Sequence, residues 1–190
     1  MLRFGPDGAL YLSIDDGGDV GAASDPGSFS GKVLRVNADA TTPRDQPSAS
    51  PVFAMDVSHP CGLDWDASGR LWIVEPGEVS AFSRDDPRTS RAVRIARHRF
   101  AGEAHGSGLA IYRNPLVPQL NGNLLIGSAD GRGLLRVRFD VDRRRSTSPD
   151  EWLFRGVVGD LRAILATTDG TIYVATSDTL VRVDVSPLER

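Results

Sequence analysis

Apolar residues in this chain fall into short runs separated by Gly-, Pro- and Asp-rich punctuation, and one such unit recurs. Phe4-Gly5-Pro6-Asp7-Gly8-Ala9-Leu10-Tyr11-Leu12 returns as Asp66-Ala67-Ser68-Gly69-Arg70-Leu71-Trp72-Ile73, as Leu120-Asn121-Gly122-Asn123-Leu124-Leu125-Ile126, and as Thr168-Asp169-Gly170-Thr171-Ile172-Tyr173-Val174. In each copy an Asp-Gly, Ser-Gly or Asn-Gly pair supplies the positive φ that a tight hairpin turn requires. The apolar, aromatic and β-branched residues after it suit a strand buried on both faces. The turn glycines 8, 69, 122 and 170 are 61, 53 and 48 residues apart.

Three copies continue into a second shared phrase: Lys32-Val33-Leu34-Arg35-Val36, Leu134-Leu135-Arg136-Val137 and Leu180-Val181-Arg182-Val183, with Glu78-Val79-Ser80-Ala81-Phe82 as a weaker equivalent. Apolar residues alternating with Arg predict strands with one solvated face. Cys61-Gly62-Leu63-Asp64-Trp65, Gly108-Leu109-Ala110-Ile111-Tyr112 and Leu161-Arg162-Ala163-Ile164-Leu165 precede the later turns and add another strand to each unit. No segment carries a sustained helical period, and 20 Gly with 12 Pro interrupt the chain too often for long helices. An all-β fold follows. A sandwich has similar strand spacing, but four copies of one phrase are better explained by radial repetition in a β-propeller. The expectation is a single partial propeller domain over 1–190, with blades near 1–55, 56–104, 105–148 and 149–190. Long irregular stretches at 15–30, 37–55 and 140–150 are expected to crown a rim where ligands approach the channel.

Composition narrows the partners. The 190 residues are 40% hydrophobic and 25% charged, ordinary for a globular protein. A net charge of −3 offers no basic face for nucleic acid. Arg143-Arg144-Arg145, set among Asp and Ser, reads as a solvated loop. Cys61 is the only cysteine, so no internal disulfide and no paired-thiol metal or haem-attachment motif exists. No apolar run approaches the ~20 residues of a membrane-spanning helix. No signal peptide follows Met1, so the chain is expected either to be cytoplasmic or to lack an N-terminal part.

The order of phrases is more specific than any one of them. The strand phrase at Phe4 is followed by Asp15-Asp16-Gly17-Gly18-Asp19, Gly31-Lys32-Val33-Leu34-Arg35-Val36-Asn37, His59-Pro60-Cys61-Gly62-Leu63 and Glu75-Pro76-Gly77. Then come Ser107-Gly108-Leu109-Ala110, Gly122-Asn123-Leu124-Leu125-Ile126-Gly127-Ser128 and Asp160-Leu161-Arg162. This order, from about Leu2 to Val183, resembles the glucose/sorbosone dehydrogenase family. These are six-bladed bacterial propellers that oxidise aldoses with pyrroloquinoline quinone (PQQ). The resemblance implies that about four of six blades are present, an N-terminal part being missing. It also implies PQQ and calcium without haem, a sugar substrate, an electron acceptor, and a periplasmic or secreted location. The chemistry implied is hydride transfer from the anomeric carbon to the quinone, with a histidine base taking the hydroxyl proton and calcium polarising the quinone oxygens.

Carried over residue by residue, the resemblance makes Asp16 the carboxylate that orients the base histidine, a histidine not present in this chain. By its own residue type Asp16 equally suits a turn-forming role in an Asp-Gly loop. Ser58-His59-Pro60-Cys61-Gly62 stands where the family has Arg-Asn-Pro-Gln-Gly, which leaves His59, Pro60 and Gly62 as cofactor-binding candidates and removes a guanidinium. His59 is otherwise an ordinary turn residue. Glu75-Pro76-Gly77-Glu78 matches the calcium loop, with Gly77 and Glu78 as backbone-carbonyl ligands. The family's lysine maps to Asp130 or, shifted, to Arg132. The paired arginines of the last blade map to Asp160 and Arg162, so Arg162 is the remaining anion contact or else a structural arginine at a strand entrance.

Three functions accommodate these residues. One is a PQQ-dependent sugar dehydrogenase that is a fragment or has a degenerate site. The second is a non-catalytic binding or structural propeller. The third is a calcium-dependent sugar lactonase using Glu75, Asn121 and Asp160 as ligands.

Overall fold

The computed structural model describes residues 1–46, 49–84, 89, 91–100 and 106–183. The expected blade boundary at 104/105 and the end at 190 lie outside these described residues. Four antiparallel sheets follow one another along the chain. The first holds β1 (Leu2–Phe4), β2 (Leu10–Ile14), β3 (Lys32–Val36) and β4 (Val52–Ala54), with a short helix α1 (Val20–Ser24) between β2 and β3. The second holds β5 (Gly62–Trp65), β6 (Leu71–Glu75), β7 (Glu78–Ser83) and β8 (Val93–Arg99). The third is built from β9 (Gly106–Ile111), β10 (Leu124–Ser128), β11 (Leu134–Val137) and, after the small hairpin β12 (Phe139–Asp140) and β13 (Arg145–Ser146), β14 (Glu151–Leu153). The third sheet therefore extends beyond residue 148. The fourth holds β15 (Ala163–Ala166), β16 (Ile172–Ala175) and β17 (Leu180–Val183). These are four blades of a propeller.

The repeated turns explain the repeated hairpins. Gly8, Gly69, Gly122 and Gly170 all sit at positive φ, between 74° and 91°. In two of the turns the aspartate fixes the strand that follows. Asp66 accepts from the Ser68 and Arg70 backbone N–H groups and from Trp72 Nε1, and Asp7 accepts from Ala9 N–H and the Tyr11 hydroxyl.

Side-chain alternation sends successive residues of a middle strand into different seams. From β6, Leu71 and Ile73 enter the core shared with the first sheet, while Trp72 and Val74 enter the core shared with the third. From β10, Leu124 and Ile126 join the second sheet's seam and Leu125 joins the fourth's. Middle strands are thus buried on both faces because each blade is packed on both sides. The first strands β5, β9 and β15 pack side by side at the centre. Gly62 permits that convergence, since a Cβ there would lie 2.5 Å from the Leu109 nitrogen.

The solvated-arginine expectation holds for Arg182, which is exposed, and is corrected for the other two phrases. Arg35 and Arg136 are buried, because acceptors meet them: Asp7 and Asp45 hold Arg35, while Asn123, Glu151 and the Gln119 carbonyl hold Arg136. Asp64 on β5 is a further buried hub. It accepts from Ile111 N–H at 2.7 Å and from Arg113 at 2.6 Å, and lies 3.4 Å from Arg3, so one carboxylate joins three blades. Among the described residues no helix is long and apolar enough to cross a membrane.

Candidate functional site

The residues implied for base orientation, cofactor and calcium lie at one end of the blades, along which contacts run from the first sheet to the fourth. Asp16 N–H donates to the Ser58 carbonyl at 2.9 Å, and Ser58 N–H donates to Glu75 Oε1 at 2.7 Å. Gly106 lies against the Glu75 carbonyl, Ser107 against Gly127, and Leu161 N–H donates to the Ser128 carbonyl at 2.9 Å. The Asp-Gly turns occupy the opposite end.

The loop between β2 and β3 is fixed from within. Asp19 caps α1 by accepting from Ala22 N–H, and Lys32 Nζ, fully buried, donates to the carbonyls of Ala22, Ala23 and Ser30 at 2.7–2.8 Å. Gly31 has φ +67° and no room for a side chain, as a Cβ would lie 2.4 Å from Ala23 Cβ. This clamp presents Asp15 and Asp16 to the loop before β5.

There His59 Nδ1 lies 2.7 Å from Asp15 Oδ2, while His59 N–H donates to Glu75 Oε1 at 3.2 Å. The Asp15 carboxylate raises the pKa of His59 above the ordinary imidazole range, and the imidazole in turn lowers the pKa of Asp15. Asp16 is 5% exposed; its Oδ1 accepts from Gly18 N–H, and its Oδ2 is buried with no hydrogen-bond partner among the described residues. No histidine among the described residues pairs with Asp16, because His59 turns to Asp15 instead. Pro60 is half-buried beside these groups, and Gly62 is enclosed in the strand convergence described above.

The other candidates sit further round the rim. Gly77 forms the β6–β7 turn at φ +80°, and its carbonyl accepts from Phe100 N–H at 2.9 Å. The Glu78 carboxylate is held by Arg97 at 3.0 Å and faces Arg99 at 3.7 Å. A carbonyl already engaged, beside a carboxylate neutralised by arginines, does not fit a calcium cage. Asp130 pairs with Arg132 at 2.9 Å and accepts from Ser128 Oγ, and Gly131 brings Asp160 alongside. Arg162 is exposed, and its guanidinium makes no hydrogen bond or ion pair with the described residues. The lactonase ligand set is not assembled. Asn121 lies in the β9–β10 turn at the far end, a strand's length from Glu75 and Asp160.

The glucose/sorbosone dehydrogenase model matches residues 1–85 and 80–183. The chain belongs to that family. It is 26% identical over 218 aligned positions to an uncharacterised protein of Synechocystis, covering 92% of this chain and 52% of that relative. It superposes on the PQQ-bound aldose sugar dehydrogenase of Streptomyces coelicolor with a TM-score of 0.71 and 24% identity, over 93% of this chain and 55% of the other. It superposes on a glucose dehydrogenase with a TM-score of 0.76 and 22% identity, over 98% of this chain and 61% of the other. The chain thus spans little more than half the length of the proteins it matches, and at these identities the superpositions establish the fold.

Sequence reasoning overlooked three features of this family member's rim. Residue type and phrase order place Asp15 only in an acidic loop, Glu75 only among metal ligands and Lys32 only in a strand. The signal for Lys32 was its singularity: it is the sole lysine, in a chain with 22 basic residues.

Proposed function

We propose that this chain forms four blades of a quinoprotein sugar dehydrogenase, periplasmic or secreted, whose cofactor and aldose bind at the rim carrying Asp16, His59 and Arg162. The observation that carries this reading is the exposed guanidinium of Arg162, unpaired among the described residues, on the same rim as the His59 imidazole. These are N–H donors of the kind that bind a carboxylated quinone. Bound there, the quinone would supply the hydride acceptor for oxidation of an aldose. Arg162 would hold a carboxylate, and His59, its Nδ1 turned to Asp15, would offer Nε2 outward.

An absorbance titration with PQQ tests this. Binding should weaken about tenfold in Arg162→Ala, the loss expected for one charge-assisted hydrogen bond, and aldoses should then drive reduction of an artificial electron acceptor. Failure of PQQ to bind would overturn the reading. A non-catalytic binding role is favoured by one observation, the neutralisation of Arg132 by Asp130. PQQ binding without aldose-dependent turnover would select it.

A further inference from the structure

We propose that the cavity between Arg91 and Arg94 binds the carboxylate of a small organic acid. It holds about 270 Å³ and opens where the chain leaves β4 and enters β8. Those are the outermost strands of the first and second sheets, so the cavity lies on the outer side of their seam, away from the central strands β5, β9 and β15. Met55, Phe82 and Ala92 supply its apolar walls, and Arg91, Arg94 and Asp56 supply its charge. Pockets for small organic ligands are commonly built this way, with a few polar groups set in an apolar lining.

Both arginines lack an acceptor. The Nε–H groups of Arg91 and Arg94 are out of contact with water and have no hydrogen-bond partner, a costly state for a cationic donor. Arg91 pairs with no carboxylate among the described residues; it stands near the buried Lys32 ammonium, whose pKa is lowered by burial and by the Arg91 charge. Burial likewise lowers the pKa of Arg94, and the Arg97 charge adds to it. The Arg94 guanidinium is steadied over the Phe82 ring, 5.1 Å from its centroid, and by donation to the Asp56 carbonyl. One cation is thus oriented while the other is left to adjust. The Asp56 carboxylate is occupied by the Ser24 hydroxyl at 2.7 Å. Two guanidinium charges against one carboxylate leave the cavity a single positive charge, which a monocarboxylate neutralises, whereas a phosphate dianion would set a second negative charge beside Asp56. A guanidinium turned into the cavity presents Nε–H and an Nη–H as a fork that fits a carboxylate bidentately, and the apolar walls take the acid's carbon chain. The site shares no residue with the rim assigned to quinone and aldose and does not depend on that reading.

Titration of sodium butyrate into the full 190-residue chain tests the proposal, read by NMR of isotope-labelled arginine Nε–H groups at constant ionic strength. Saturable shifts of two Nε–H signals are expected, assigned to Arg91 and Arg94 by their loss in Arg91→Gln and Arg94→Gln. Each substitution should weaken butyrate binding about tenfold, the loss of one charge-assisted hydrogen bond. Arg91→Gln removes no side-chain hydrogen bond or ion pair with the described residues, so it decides the matter even if circular dichroism shows Arg94→Gln unfolded. Arg162→Ala should bind butyrate as the parent does, which separates this cavity from the rim assigned to the quinone. Inorganic phosphate should bind more weakly than butyrate. Absence of saturable shifts, unchanged affinity in Arg91→Gln, loss of binding in Arg162→Ala, or phosphate binding as tight as that of butyrate would overturn the proposal. No quinone or sugar enters the measurement, so its failure leaves the dehydrogenase reading standing.

Discussion

Replacing Lys32 by methionine isolates the clamp that shapes the acidic loop. The ammonium is fully buried and donates to three carbonyls at 2.7–2.8 Å, and methionine fills a similar volume without any donor. Two of the three carbonyls keep a backbone partner, since Ala22 O also receives Asp25 N–H at 3.3 Å and Ala23 O receives Asp56 N–H at 3.2 Å. Ser30 O would be left bare. A buried carbonyl without a donor costs about 1–3 kcal/mol, and hydrogen bonds to a charged group contribute about 1.5–3 kcal/mol each. Relief of the ammonium's desolvation offsets part of that loss. The net expectation is about 2–4 kcal/mol of lost stability. Urea unfolding followed by fluorescence of the buried Trp65 and Trp72 measures it. A change within ~0.5 kcal/mol, the range of an ordinary surface substitution, would refute the assignment of Lys32 as the clamp.

Further substitutions probe the scaffold. Asp64→Ala strips the shared acceptor from Ile111 N–H, Arg3 and Arg113 and should cost about 3–5 kcal/mol in the same unfolding assay. Gly62→Ala places a Cβ 2.5 Å from the Leu109 nitrogen and should cost about 1–3 kcal/mol by overpacking, with a matching fall in melting temperature. The hydrogen bond from Arg35 holds the Asp45 carboxyl down to about 2, from 3.8. A depressed carboxyl pKa contributes stability that is present above pH 3.8 and lost as pH falls through 2, so Asp45→Asn should lower the urea midpoint at pH 6 and converge with the parent near pH 2. Because Asp45 is 57% exposed, the effect should be small.

The parts of the fold governed by local sequence were legible. Strands β2, β6, β10 and β16 follow turns whose glycines have the positive φ that their dipeptides require. Strand β8 was missed because Arg94, Arg97 and His98 disguise it: it lies outermost in its sheet, where a ladder needs backbone pairing more than apolar side chains. Arg35 and Arg136 were expected in solvent, since residue type alone makes arginine an outward group. Their burial depends on acceptors from other segments, which periodicity does not reveal. The helix α1 is too short to carry a period and owes its existence to the Asp19 cap and the Lys32 clamp. In the candidate site, Asp16 and His59 were legible as residues but not as neighbours. The residue that pairs with His59 is Asp15, 44 positions away in sequence and brought close only by the seam between two blades.

That seam explains why one end of the rim is more fully specified by this chain than the other. Asp15 and Asp16 belong to the first blade and His59 to the entry of the second. The core beneath them packs Tyr11, Val33 and Phe53 against Leu63, Trp65, Ile73 and Phe82. Tyr11 meets Phe53 of its own blade and Trp65 of the second edge-on, with ring centroids about 5 Å apart, so an aromatic contact of defined geometry crosses between the two blades. Asp15, Asp16 and His59 therefore inherit their spacing from a packed interface contained within these residues. A quinone bridging the channel would instead depend on how Arg162, on the fourth blade, stands to His59, on the second, across two further seams. Weakening the first seam, for instance by Phe53→Ala, should thus loosen the Asp15–His59 contact and let the His59 pKa, followed by NMR, fall toward its ordinary value, while leaving the Arg162 contribution to quinone binding in place. The opposite ordering of effects would show that the rim behaves as one unit and not as two sites set by separate seams.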